Sequence, residues 1–223
     1  MKLCIKEPLW NSSMPTKTKT NYSENSKGAS TKDSFQTPRY AVEILDGIIP
    51  SGVITIWEPA AGEGQISGVL REMGYRVRET EINGNHSYLD FLLEDEDFEY
   101  DAIVSNPPFS VKKKFIHKCL EKEKPFAMLI PADWSGWLID AVFNRGCQIL
   151  MPTRRIDFIT PNIVQRVNEG EQASYTHFRE IPENLHYEYS SSDFHSMWLT
   201  WGFGFPERVN SVELSIDMKK RIL

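Results

Sequence analysis

Cysteine is scarce in this 223-residue chain. Cys4, Cys119 and Cys147 are scattered and form no C-x-x-C pair, which excludes a disulfide framework and the usual zinc spacing. A reducing, cytoplasmic setting is the expectation. His177, His186 and His195 are not spaced as metal ligands either, so no metal is expected. Long apolar runs are missing. Nothing approaches a membrane span, and Met1-Lys2-Leu3-Cys4 opens no stretch long enough for a secretory signal. An excess of positive charge is also lacking: 25 Lys and Arg against 31 Asp and Glu give a net charge of -6. That balance argues against a protein that coats nucleic acid indiscriminately, but not against one local basic face, since counterion release depends on local Lys and Arg. The charge is uneven, with residues 1–40 basic and Glu94 to Asp101 strongly acidic.

What is present is a composition that can bury a full core without staples, 40% hydrophobic and 12% aromatic. Residues 11–34 are polar, repetitive and without periodicity, so residues 1–34 are expected to form a flexible, mildly basic tail. A nucleic-acid-contacting arm is the functional alternative for it. Residues 35–223 are expected to form one domain.

Within that domain, strand and helix signals alternate. Pro38 can open a helix carrying Tyr40, Val42, Ile44, Leu45 and Ile48, which Gly47 and Pro50-Ser51-Gly52 stop. Val53 to Trp57 reads as a buried strand, Gln65 to Met73 as an amphipathic helix, and Tyr75 to Ile82 as a second strand. Asp101 to Ser105 is the next strand, followed by a helix over Val111 to Glu123. A strand over Pro125 to Pro131 and a helix over Trp134 to Asn144 continue the pattern. Gln148 to Met151, Arg155 to Ile159 and Ser196 to Phe203 then read as strands. The alternation predicts an α/β fold with a doubly wound, mostly parallel sheet. Residues 160–192 show neither period and read as an irregular insertion before the last strand.

Glu58-Pro59-Ala60-Ala61-Gly62-Glu63-Gly64 falls between a strand and a helix, where small residues let the main chain turn sharply and approach a ligand. A dinucleotide fingerprint would carry a third glycine and a rim suited to pyrophosphate. Here Glu63 lies inside the turn and Glu58 beside it, a combination suited to a cationic ligand such as S-adenosylmethionine. Alone, the turn is compatible with any nucleoside. Glu81, at the end of the next strand, is placed to accept hydrogen bonds from ribose hydroxyls, with Glu79 as the competing acid.

Ser105-Asn106-Pro107-Pro108-Phe109 follows a strand and should reach the same sheet edge. Two prolines fix the backbone. That rigidity can aim the Asn106 side-chain carbonyl and the Pro107 main-chain carbonyl at one point. A conjugated exocyclic amine is a weak nucleophile, and two acceptors on its two hydrogens help its lone pair reach a methyl group. Phe109 would stack on the base.

Together these residues resemble the phage and prophage type of DNA N6-adenine methyltransferase over roughly residues 35–205. The resemblance implies a Rossmann-like class I methyltransferase fold, S-adenosylmethionine as cofactor and DNA as partner, with RNA not excluded. Phe35-Gln36-Thr37-Pro38 looks like the family's Phe-x-Thr-Pro element, which implies that Phe35, Thr37 and Pro38 contact the methionine part of the cofactor. Glu58, Pro59, Ala60, Gly62 and Gly64 match the cofactor turn, and Glu81 matches the ribose-binding acid. Asp90-Phe91-Leu92 resembles the element at the cofactor adenine, where Asp90 accepts and Phe91 lies alongside. Asn106, Pro107, Pro108 and Phe109 match the catalytic element, with Asn106 also at the cofactor. Arg154 to Phe158 and Ser192 to Trp198 look like late strands that complete the base pocket. The same Asn-Pro-Pro-aromatic chemistry serves RNA adenine or a protein glutamine amide, and a silent nucleic-acid-binding subunit is the reading from another class. A cytosine N4 enzyme more typically carries Ser at the position of Asn106.

Lys112-Lys113-Lys114 with Lys118 and Lys122 suits either phosphates beside an extruded base or a solvated helix face. Arg154, Arg155, Arg166 and Arg179 sit beside or within the insertion and are the better candidates for nucleic-acid contact. Trp134 and Trp137, three apart on an expected helix, favour core packing over base stacking.

Overall fold

The computed structural model describes residues 35–82, 87–159 and 194–219. The expected tail and the whole of the expected insertion, with Arg166 and Arg179, therefore lie outside the described residues. Helix α1 (Arg39–Glu43) precedes β1 (Thr55–Glu58), α2 (Gln65–Glu72), β2 (Arg76–Glu81) and β3 (Ser87–Tyr88). Then come β4 (Ala102–Ser105), α3 (Lys112–Lys122), β5 (Phe126–Pro131), α4 (Gly136–Asn144) and β6 (Gln148–Pro152). Strands β7 (Ser196–Trp201) and β8 (Val209–Val212) and the short α5 (Ile216–Lys219) follow.

The strands form one sheet in the order β3-β2-β1-β4-β5-β7-β6-β8. All pairings are parallel except those of β7, which runs antiparallel to both β5 and β6. β4 is buried along its whole length, and β5 along all but its last residue, so each reads as a continuous apolar run. One face carries Tyr40 and Leu45 near α1, with Ile66 and Leu70 of α2, against Val104, Leu129 and Trp198. The other carries Phe115 and Ile116 of α3, with Leu138 and Val142 of α4, against Trp57, Ile103 and Met128.

The chain winds outward from β1 to β2 and β3, then returns to lay β4 on the other side of β1. This reversal opens a crevice at the carboxyl ends of β1 and β4. β5 and β6 end on the same edge, and antiparallel β7 begins there.

Three expected elements differ. The first helix ends at Glu43, and turns carry the rest of its expected stripe to Ile48. Residues 155–159 form no strand; Ile159 makes a single antiparallel bridge to Gln36. The cause is competition for an edge, because the free side of β6 pairs with β8 in the register Ile149↔Val209 to Pro152↔Val212. β8 itself is polar and half exposed, which hid it from the apolar pattern. Helix α4 begins at Gly136, so Trp134 precedes it and is 55% exposed instead of lying in the core. Trp137 is partly buried against the α3 side of the sheet.

Trp198 joins the sheet to α1: it is fully buried, and its indole N–H donates to the Ala41 carbonyl at 3.0 Å. Trp198→Ala should destabilise the protein by about 3–5 kcal/mol in urea unfolding, from the cavity and the orphaned carbonyl together. A loss within a few tenths of a kcal/mol would contradict this packing.

Candidate active site

The turn after β1 is built by left-handed glycines. Gly62 has φ 55° and Gly64, which precedes α2, has φ 76°. A β-carbon on Gly62 would also come within 3.2 Å of the Gln36 side chain. The turn is closed by Gly64 N–H donating to the Ala61 carbonyl at 2.7 Å and Ala61 N–H to the Thr80 carbonyl at 3.2 Å. Glu81 sits at the end of β2, where one carboxylate oxygen accepts from Gly62 N–H at 3.0 Å and the other from Ile82 N–H at 2.8 Å. Glu79 instead pairs with Arg71 at 2.8 Å, away from the turn.

Glu58 lies beneath the turn. It is 1% exposed, and the Ser67 hydroxyl donates to its carboxyl group. Burial pushes this carboxyl well above its usual range, against the lowering effect of Ser67. The charge on the accessible rim therefore belongs to Glu63 and Glu81, both partly exposed. Pro59 is buried and Ala60 partly buried behind it. Asp90 is 8% exposed, with Oδ1 accepting from Leu92 N–H at 2.9 Å. Phe91 is part of the core, its ring 5.1 Å from Trp57 and 4.7 Å from Phe115.

Asn106 leaves β4 into the crevice. Its amide nitrogen donates to the Phe35 carbonyl at 3.2 Å. That carbonyl can only accept, which fixes the amide orientation. Oδ1 therefore faces the other way; it is buried and has no hydrogen-bond partner among the described residues. Such an acceptor costs about 1–3 kcal/mol when left unpaired, a cost that a donor-bearing ligand removes. Pro107 is buried, and Pro108 turns the chain by accepting from Val111 N–H at 3.0 Å.

Phe109 meets a ring of aromatics from three separate segments. Its centroid lies 6.2 Å from Phe35, 5.8 Å from Phe158 and 5.7 Å from Phe194, all edge-to-face. Phe35 in turn stacks on Phe158 at 5.6 Å. Thr37 is 3% exposed and Pro38 is buried at the start of α1.

No motif or periodicity in the sequence marks Gln36 as a site residue. Its backbone exchanges hydrogen bonds with Ile159 at 2.9 and 3.0 Å. Its side-chain oxygen accepts from Glu63 N–H at 3.3 Å. It thus ties the glycine turn to the segment that leads into residues 160–193.

The cationic candidates separate. Lys112 lies 3.4 Å from Asp133. Lys118 and Lys122 are occupied by the acidic stretch: Lys118 donates to the Glu94 carbonyl, and Lys122 pairs with Asp95 and Glu96. Arg154 and Arg155 are exposed after β6, on the edge shared with Asn106.

No protein-family model matches the sequence, and no curated protein matches it. Solved structures do. The methyltransferase subunit of a type I restriction-modification system from Streptococcus thermophilus is similar at a TM-score of 0.51 and 10% identity, over 85% of this chain and 52% of that one. A proposed RNA methyltransferase from Pyrococcus horikoshii is similar at 0.40 and 15% identity, over 55% of this chain and 75% of that one. The 23S rRNA methyltransferase ErmE is similar at 0.35 and 19% identity, over 42% of this chain and 45% of that one. The fold is the Rossmann-like fold of class I methyltransferases. The chain spans about half the length of the restriction-modification subunit.

The Glu58 carboxyl gives the site a pH signature. Its folded pKa is raised above the ordinary value of 4.5, so its contribution to stability is fully present below that value and is lost as pH rises through the folded pKa. Glu58→Gln removes this titration. In ligand-free protein, the variant's urea midpoint should exceed that of wild type near neutral pH, with the gap closing toward pH 4.5. A gap independent of pH would show that Glu58 does not titrate there.

Proposed function

We propose that the protein is an S-adenosylmethionine-dependent methyltransferase acting on the exocyclic N6 of adenine in DNA. The observation that carries this reading is the Asn106 amide: oriented through its nitrogen by Phe35 and presenting, beside an aromatic ring system, a buried oxygen with no partner among the described residues. A planar amine with two hydrogens answers that acceptor, and a flat base answers the rings.

The residues present fit the cofactor. The glycine turn permits close main-chain approach, and Glu81 ends β2 with a carboxylate facing the turn, where ribose hydroxyls can replace its amide partners. Phe35, Thr37, Pro38, Glu58, Pro59, Ala60, Gly62, Gly64, Asp90 and Phe91 complete the proposed cofactor site, with Glu58 shaping the turn through Ser67. When bound, S-adenosylmethionine supplies an electrophilic methyl group on a sulfonium centre.

The chain's own groups do the rest. Asn106 Oδ1 and the Pro107 carbonyl accept from the two amine hydrogens as the nitrogen rehybridises, and Phe109 holds the base in line. As the N–C bond forms and the C–S bond breaks, the nitrogen becomes acidic and its proton leaves to water, so no early general base is required. The target base must leave the helix stack, at a cost of a few kcal/mol. Phosphate contacts from Lys112, Arg154 and Arg155, together with Arg166 and Arg179, are proposed to offset that cost.

Incubation with methyl-labelled cofactor and DNA, RNA or protein, followed by nucleoside identification, tests the assignment. N6-methyladenine in DNA is the expected product; label confined to RNA or protein would overturn the DNA reading. Asn106→Ala should lower turnover by about 10²–10³-fold while cofactor binding by calorimetry is retained. Gly62→Val should instead remove cofactor binding first, since it forces a β-branched residue to φ 55° against Gln36. Turnover retained by Asn106→Ala would sink the proposed role.

A further inference from the structure

We propose that Trp134 is a stacking platform for a nucleobase next to the methyl-accepting one, on the same strand. The inference rests on the nucleic-acid reading of the site and adds a binding residue to it.

Its position comes from sheet register. β4 and β5 run parallel with Ser105 opposite Met128, and β5 continues three residues further, to Pro131. At about 3.3 Å per residue, the loop after β5 rises about 10 Å beyond the end of β4. Asn106 to Phe109 leave the end of β4 on the same side, and Lys112 beyond them reaches Asp133, so Trp134 stands beside that element on the common edge, one strand along. The base it meets is a neighbour of the one on Phe109.

The loop is held from both sides by elements of the site. Ala132 N–H donates to the His195 carbonyl at 2.8 Å, next to Phe194 of the aromatic ring system. On the other side Asp133 pairs with Lys112, three residues beyond Phe109. Ser135 bonds Asp133 twice, through its hydroxyl at 2.7 Å and its N–H at 2.9 Å. Ala132, Asp133 and Ser135 are thus tied down while the indole between them is left 55% exposed. An exposed indole on a fixed loop loses little freedom when it is covered.

The surroundings select the occupant. Arg154-Arg155, exposed on the same edge, suit a phosphate backbone. An exposed aromatic face on such an edge can hold an unstacked base, because every base offers a π face. The helix expected from sequence would have hidden this ring; its later start, at Gly136, puts it on the rim.

The test compares methyl transfer by wild type, Trp134→Ala and Trp134→Phe on the oligonucleotide duplex that accepts label. Trp134→Ala should raise KM for the duplex by about 5- to 100-fold with kcat and cofactor affinity unchanged, and Trp134→Phe should recover most of the loss. An abasic residue beside the target, on the 5′ or the 3′ side, should erase the difference between wild type and Trp134→Ala at one of the two positions. An unchanged KM, or an undiminished difference with either abasic duplex, overturns the assignment of Trp134 alone. Wild-type protein that neither binds nor methylates nucleic acid overturns both this assignment and the reading beneath it.

Discussion

The site depends on β1 and β4 lying side by side and running in the same direction. The glycine turn leaves one of these strands and the Asn-Pro-Pro-Phe element leaves the other. The parallel pairing of Ile56 with Ala102 and Trp57 with Ile103 brings their ends to a common edge, although nearly fifty residues separate them in sequence. A switch point in a parallel sheet leaves a gap there, because the helices that follow the two strands cover opposite faces. β5 extends that edge outward, and β7 returns to it from the opposite direction with Phe194 and His195 at its start.

Phe35 and Gln36 then act as a cross-tie over this gap. One carbonyl orients Asn106, one side chain receives Glu63 N–H, and one backbone bridge receives Ile159. The Phe35 carbonyl engages the Asn106 amide nitrogen, while the amide oxygen has no partner among the described residues. Satisfied polar networks rigidify, while a single unmatched acceptor discriminates strongly for a ligand that can donate to it. The same cross-tie brings Phe35 onto Phe158, so the aromatic surface and the oriented amide arise from one set of contacts.

Charge is sorted by the fold in a way that the net value of -6 conceals. The acidic stretch before β4 meets the far half of α3, where Lys118 pairs with Asp95 and Lys122 with Asp95 and Glu96. Lys112, at the near end of α3, and Arg154-Arg155 after β6 remain on the side of the crevice. Beneath the turn, Glu58 is held in a form that burial disfavours as an anion.

Much of the fold was legible because it is local. β-branched runs bounded by turns marked β1 and β4, the apolar stripe marked α2, and two prolines after a buried strand marked the rigid Asn106 loop. The sequence by itself determined these elements and the two motifs between them, since propensity, capping glycines and proline stereochemistry act over a few residues. Only the tertiary structure decided which edge each segment joined. β8 took the free side of β6, so residues 155–159 crossed to Gln36 and carried Phe158 to Phe109. Likewise, His195 and Lys112 took up Ala132 and Asp133 ahead of α4 and left Trp134 on the rim. Those outcomes turn on competition for backbone partners between residues far apart in the chain, and no local pattern records which partner wins.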